Sequence, residues 1–128
     1  RTILFREEHS PRVLVPKVDI VSAPGTSPSG VFRRGTAQAL VTGKCLFSFN
    51  PAAARFTLTS IHPGETAASL RQATGFDYDS PEHPPVTPDP TPQELELLRG
   101  PVCDEMLETY PEFCRRVWNR TGQAGRAA

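Results

Sequence analysis

Apolar residues come in short runs through the first half of the chain and in three- and four-residue steps through its last quarter. Thr2-Ile3-Leu4-Phe5 is the first run, closed by Arg6-Glu7-Glu8 and a His9-Ser10-Pro11 turn. Arg12–Val15 and Val18–Val21 follow, rich in the β-branched residues that suit strands. Pro16 lies between them and forbids one continuous central strand, because it cannot donate to a ladder. Ser22-Ala23-Pro24-Gly25-Thr26-Ser27-Pro28-Ser29-Gly30 reads as a loop, with prolines fixing φ and glycines permitting positive φ. Ala37–Thr42 predicts a strand ended by Gly43, and Cys45–Phe49 another, with Phe47 and Phe49 sharing a face by the two-residue period. In Phe56–Ile61 the residues alternate cleanly, which predicts a hairpin with the preceding strand across Asn50–Arg55.

The period then changes. Past His62-Pro63-Gly64, Thr66 is placed to cap a helix over Ala67–Thr74, with Gly75 beyond its end. Phe76–Asp79 reads as extended. From Pro81 to Pro92 six of twelve residues are proline, so this stretch is an irregular or polyproline-like surface strap. Thr91-Pro92-Gln93-Glu94 is the sharpest local signal: a capping Thr, a Pro at the first helical position and a Glu that completes a capping box. It opens a helix over Gln93–Arg99 that Gly100-Pro101 stops. In Asp104–Trp118 the residues Met106, Leu107, Tyr110, Phe113, Cys114, Val117 and Trp118 recur as a buried stripe requires, and Pro111 inside it predicts a kink or two short helices. Gly122–Ala128 is expected to fray.

Composition narrows the function classes. Fourteen Lys and Arg balance fourteen Asp and Glu, without the basic excess of a nucleic-acid or membrane-surface binder. No apolar run reaches the ~18 residues that cross a bilayer. Three scattered cysteines, Cys45, Cys103 and Cys114, do not make a disulfide scaffold, so a reducing, cytoplasmic setting is expected. Cys103 and Cys114 sit eleven apart without a nearby His, short of a zinc pattern, and read as buried inert thiols, as does Cys45 beside Phe47. His9, His62 and His83 each border a proline or a Ser-Pro turn and read as solvated loop residues. Glu7 and Glu8 read as exposed carboxylates. Arg33-Arg34 could meet a phosphate-bearing ligand or simply end a hairpin. Pro24-Gly25-Thr26 lacks the Lys and spacing of a P-loop. No metal site is expected, and composition and spacing alone assemble no active site.

Several blocks, in order, carry a resemblance. They are Val18-Asp19-Ile20-Val21-Ser22-Ala23-Pro24-Gly25, Leu40-Val41-Thr42 with Leu46-Phe47-Ser48-Phe49, Ser60-Ile61-His62-Pro63-Gly64, Leu70-Arg71-Gln72-Ala73-Thr74-Gly75-Phe76, and Pro90–Arg99. Over about residues 3–99 the chain resembles the C-terminal half of the β subunit of family I CoA-transferases, the group of glutaconate and 3-oxoacid CoA-transferases. The resemblance implies an α/β fold, an open β-rich sheet with short covering helices, that pairs with the N-terminal half of the same subunit and with a related α subunit. It implies CoA transfer from an acyl-CoA to a carboxylic acid through a glutamyl thioester, with CoA as a substrate moiety and no tightly bound cofactor. The family's nucleophilic Glu and its glycine-rich oxyanion segment lie upstream of the matched blocks, so no catalytic residue is carried over, and Glu7 and Glu8 do not occupy the nucleophile position. The same fold hosts decarboxylation of glutaconyl-type CoA esters and hydrolytic ring opening.

These readings divide the chain into a transferase-like part over 1–101, a helical extension over 102–121 and a flexible tail over 122–128. Arg1, without an initiating Met, fits the C-terminal piece of a longer polypeptide. Ser22, Pro24 and Gly25 are the candidate substrate-binding residues, because Pro-Gly at a strand end turns tightly and lets a ligand or another backbone approach. Ile3, Leu4 and Phe5 make both faces of the first strand apolar, so covering layers are expected from the N-terminal half and the α subunit. A competing reading makes the chain a non-catalytic interaction domain, with Pro81–Pro92 as a ligand for a proline-recognising partner.

Overall fold

A computed structural model describes residues 2–22, 24–32 and 34–119. Packing divides the chain into two compact units, Arg1–Pro88 and Asp89–Ala128. The division falls earlier than 101/102, because the capped helix after the strap packs with the helices that follow it. The tail expected over 122–128 lies outside the described residues.

The first unit is built on a mixed four-stranded sheet in the order β1 (Thr2–Arg6), β2 (Ala37–Thr42), β3 (Cys45–Asn50), β4 (Arg55–Ile61). Strands β2, β3 and β4 form an antiparallel meander, whereas β1 runs parallel to β2, with Leu4 opposite Leu40 and Phe5 opposite Val41. The β3–β4 turn forms because the Asn50 side-chain oxygen accepts the amides of Ala52 and Ala53, an Asx-type turn that leaves Ala54 at φ 50°.

One face of the sheet holds the core. Leu40, Cys45, Phe47, Leu58 and Ile61 are buried there with Leu14, Leu70 and Tyr78. Phe47 is its centre, with ring centroids 5.0 Å from Tyr78 and 6.0 Å from both Phe56 and Phe76. Helix α1 (Ala67–Ala73) supplies Leu70, whose complete burial is worth about 1.5–3 kcal/mol. It starts where predicted, at Thr66, whose hydroxyl accepts the Ser69 amide while Ser69 returns the bond. Phe76–Asp79 and Pro85–Thr87 run beside the outer edge of β4, through the exchange of Leu58 and Phe56 with Asp79 and of Ile61 with Pro85 and Thr87. The strap therefore closes one edge of the sheet. Thr87 also anchors it by side chain, 2.7 Å from Ser60 Oγ and 2.8 Å from His62 Nδ1.

Two expected strands are absent. Arg12–Val15 is a turn begun by Ser10-Pro11, in which the Ser10 carbonyl accepts the amides of Val13 and Leu14. Leu14 still reaches the core, but as a loop residue. Val18–Val21 is irregular and exposed, with Ile20 at 84%. Its β-branched residues meet the propensity, but β1 and β2 already pair with each other and leave it no adjacent ladder.

The second unit is helical: α2 (Pro92–Leu97), a wide π-type turn over Leu98–Val102, α3 (Cys103–Thr109) and α4 (Pro111–Trp118). The Thr91–Glu94 capping box forms as predicted. Gly100-Pro101 bends the chain without ending it: Gly100 leaves helical geometry (φ −99°, ψ −111°) and α3 follows at once. Pro111 produces two helices, broken at Tyr110 (φ −128°, ψ 58°). Cys103 and Cys114 are buried between them.

Candidate functional site

The loop after Val21 closes over one end of the sheet. Pro24, Gly25 and Thr26 face Thr2 and Leu4 of β1, Ala37 of β2, Phe49 of β3 and Phe56 of β4 across a cleft of about 430 Å³. Gly25 is required by proximity, since a Cβ there would lie 2.9 Å from the Phe49 ring. Phe49 in turn is held edge-on by Phe56, with centroids 5.2 Å apart. The same three loop residues form one wall of a second hollow of about 320 Å³, bounded also by Ser27, Val31, Phe32, Gly35 and Thr36. Neither lining carries a carboxylate, thiol or imidazole among the described residues. The arrangement can bind an apolar chain and offer backbone and hydroxyl hydrogen bonds; it holds no acid, base or nucleophile.

Of the candidate binding residues, Pro24 and Gly25 line both hollows, while Ser22 is exposed and in neither lining. Ala23 and Arg33 lie outside the described residues; Arg34 is exposed. Phe49 and Phe56 complete the cleft, and the sequence marks them only as apolar strand positions.

A second cluster corrects the expectation of solvated histidines. His9 is buried, its Nδ1 2.8 Å from Thr42 Oγ1 and its Nε2 2.8 Å from Thr74 Oγ1. Thr74 donates to the Leu70 carbonyl, so Nε2–H donates to Thr74. Thr42 Oγ1 already accepts the amides of Lys44 and Cys45, so its own proton goes to Nδ1 or to the Cys45 carbonyl. A neutral His9 with its proton on Nε2 satisfies the whole set. Cys45 Sγ lies 3.8 Å from Nδ1, a spacing that invites comparison with a nucleophile and its base. Its chemistry forbids that role. Burial pushes the Cys45 thiol up to about 11, and burial, aided by the Lys44 charge, pushes His9 below its ordinary value. Both are neutral, and the cluster ties the first loop to β2 and to the end of α1. His62 is half-buried, with Nε2–H donating to the Thr42 carbonyl; His83 is the exposed one. Glu8 is drawn into the first turn by Ser10 and Arg12, which hold its carboxyl below the usual range. Among the described residues no three His, Cys, Asp or Glu side chains gather to hold a metal ion, and no helix is long and apolar enough to cross a membrane.

No protein-family model matches the chain. It is 32% identical over 103 residues to the cholesterol ring-cleaving hydrolase IpdB subunit of Mycobacterium tuberculosis, covering 77% of this chain and 41% of the relative. It is 28% identical over 104 residues to the 3-oxoadipate CoA-transferase β subunit of Pseudomonas knackmussii, covering 77% and 39%. Among solved structures, IpdAB of Rhodococcus jostii RHA1 superposes with a TM-score of 0.69 at 30% identity, over 77% of this chain and 41% of the other. Glutaconate CoA-transferase of Acidaminococcus fermentans gives 0.63 at 25%, over 77% and 40%. The decarboxylase AibA/AibB gives 0.60 at 27%, over 77% and 37%. The chain spans about two-fifths of the length of the curated relatives it matches. Sequence and fold together place it with the β subunits of family I CoA-transferases, as the counterpart of the C-terminal half of such a subunit.

Proposed function

We propose that this chain is the C-terminal part of a β subunit in a heteromeric, cytoplasmic CoA-transferase-like enzyme that moves CoA between an acyl-CoA and a carboxylic acid. The reading is carried by the similarity, in sequence and fold, to CoA-transferase subunits. The observed chemistry agrees with a supporting role. The described residues offer an apolar cleft with a glycine-dependent wall and no activated nucleophile, so the thioester-forming glutamate belongs to the N-terminal half of the subunit. A related α subunit completes the site, CoA enters as substrate, and Pro24 and Gly25 face the substrate side.

Purified complex containing this chain and its α subunit, given succinyl-CoA or acetyl-CoA and a carboxylate acceptor, should exchange CoA, and borohydride should trap a glutamyl thioester. Gly25→Val, which drives a side chain into the Phe49 ring, should impair assembly or turnover; unchanged values for both would remove the loop from the site. One observation favours a second reading. Identity to the IpdB subunit exceeds that to the transferase subunit, and the reaction would then be hydrolytic ring opening of a CoA thioester. A complex that consumes a cyclic acyl-CoA with water and exchanges no CoA would establish it, and release of CO2 would instead mark a decarboxylase.

A further inference from the structure

The two hollows that share the wall Pro24–Thr26 differ in character, and the difference matches the two ends of one ligand. The first is enclosed by Leu4, Phe49 and Phe56, apolar and aromatic groups at the end of the sheet. The second is bounded by the hydroxyl-bearing Thr26, Ser27 and Thr36 together with Val31 and Phe32. Phe32 lines it yet is 85% exposed, an uncommon cost in water for a phenyl ring with no ligand to cover it. Arg34 sits between two lining residues, Phe32 and Gly35, and Arg33 adjoins it in sequence. Gly35 has φ 84°, so the chain turns sharply just after the arginine pair. With no acidic residue in either lining, the field around the second hollow favours an anion.

Resting on the proposed CoA-thioester reading, we infer that the Thr26–Thr36 loop holds the 3′-phosphorylated adenosine end of the acyl-CoA. Phe32 stacks on the adenine, Arg34 pairs with the 3′-phosphate, and the pantetheine arm passes the Pro24–Gly25 wall into the Phe49–Phe56 cleft. An aromatic ring supplies a stacking platform for a base, and a guanidinium matches a phosphate in geometry as well as charge. Binding is expected to weaken with salt, since the Arg34 contact is at the surface.

The test compares an acyl-CoA with its 3′-dephospho analogue on the intact heteromeric complex, by calorimetric Kd and by KM. Arg34→Gln should raise both for the acyl-CoA by about fivefold, the scale of an exposed charge pair. The same variant should shift the dephospho analogue by less than about twofold, because its partner group is already gone. Phe32→Ser should weaken both ligands alike. Equal losses for the two ligands with Arg34→Gln, or no loss with either variant, would overturn the placement while leaving the CoA reading intact. A wild-type complex that binds no acyl-CoA would overturn the reading itself, and this placement with it.

Discussion

His9 and Gly75 show how single residues fix this structure. Neutral His9 bridges two threonines in a buried cluster. Its folded-state proton affinity lies below the ordinary value of 6.5, first because of burial and then because of Lys44. Above about pH 6.5 the folded and unfolded chains both hold it neutral and its full contribution is present. As pH falls below that value the unfolded chain takes up the proton first, so stability is lost progressively down through the folded-state pKa. The denaturation midpoint of the complex should therefore fall between pH 7 and pH 5, and His9→Gln should flatten that slope. An unchanged slope would show that another group sets it. Gly75 is fixed by space. Its amide donates to the Leu14 carbonyl at 2.7 Å, and an added Cβ would lie 2.3 Å from that same oxygen. Gly75→Ala should destabilise by about 2–3 kcal/mol, measured by chemical denaturation, as expected for a forced backbone shift. Neither role is visible in the sequence. A His before Ser-Pro looks like a turn residue, and a Gly after a helix looks like an ordinary cap, until the loop around Leu14 arrives from sixty residues upstream.

At the level of elements, legibility follows locality. The β2–β3–β4 meander, α1 with its Thr66 cap and α2 with its Thr91 box all form where short-range signals put them, because every partner lies within a few residues or across one turn. Arg12–Val15 and Val18–Val21 fail as strands because strand identity needs a neighbour, and residue propensity cannot supply one. Gly100-Pro101 has the composition of a stop and is a bend, since the residues after it resume the helix at once. Thr91→Ala removes the hydroxyl that accepts the Glu94 amide and the partner of its carboxylate. It should cost the second unit about 1 kcal/mol, read from its thermal or urea transition. The candidate cleft is half legible: Pro24 and Gly25 stand out as a turn, whereas Phe49 and Phe56 become lining residues only when the loop folds onto the strand ends.

For the whole molecule, the two edges of the sheet are treated differently. The β4 edge is covered by Phe76–Asp79 and Pro85–Thr87. The β1 edge leaves Ile3, Leu4 and Phe5 exposed, with Phe5 at 68%, and Val18, Ile20 and Val21 are exposed as well. An apolar strand edge of this kind invites pairing with another chain. Residues 1–128 expressed alone should bind a hydrophobic dye or aggregate, and co-expression with the α subunit and the N-terminal half should suppress both. A soluble monomer that melts cooperatively and ignores the dye would count against the heteromer. The parallel pairing of β1 with β2 has a kinetic side too. Residues 7–36 must be looped out before Thr2 meets Ala37, while β2, β3 and β4 need only short turns to find one another. Loop closure delays β1 relative to the meander, because its entropy is lost before any contact repays it. The strand with the most exposed apolar surface is thus the last to dock and the first to peel away, which leaves the sheet receptive at that edge for the longest interval during synthesis and assembly.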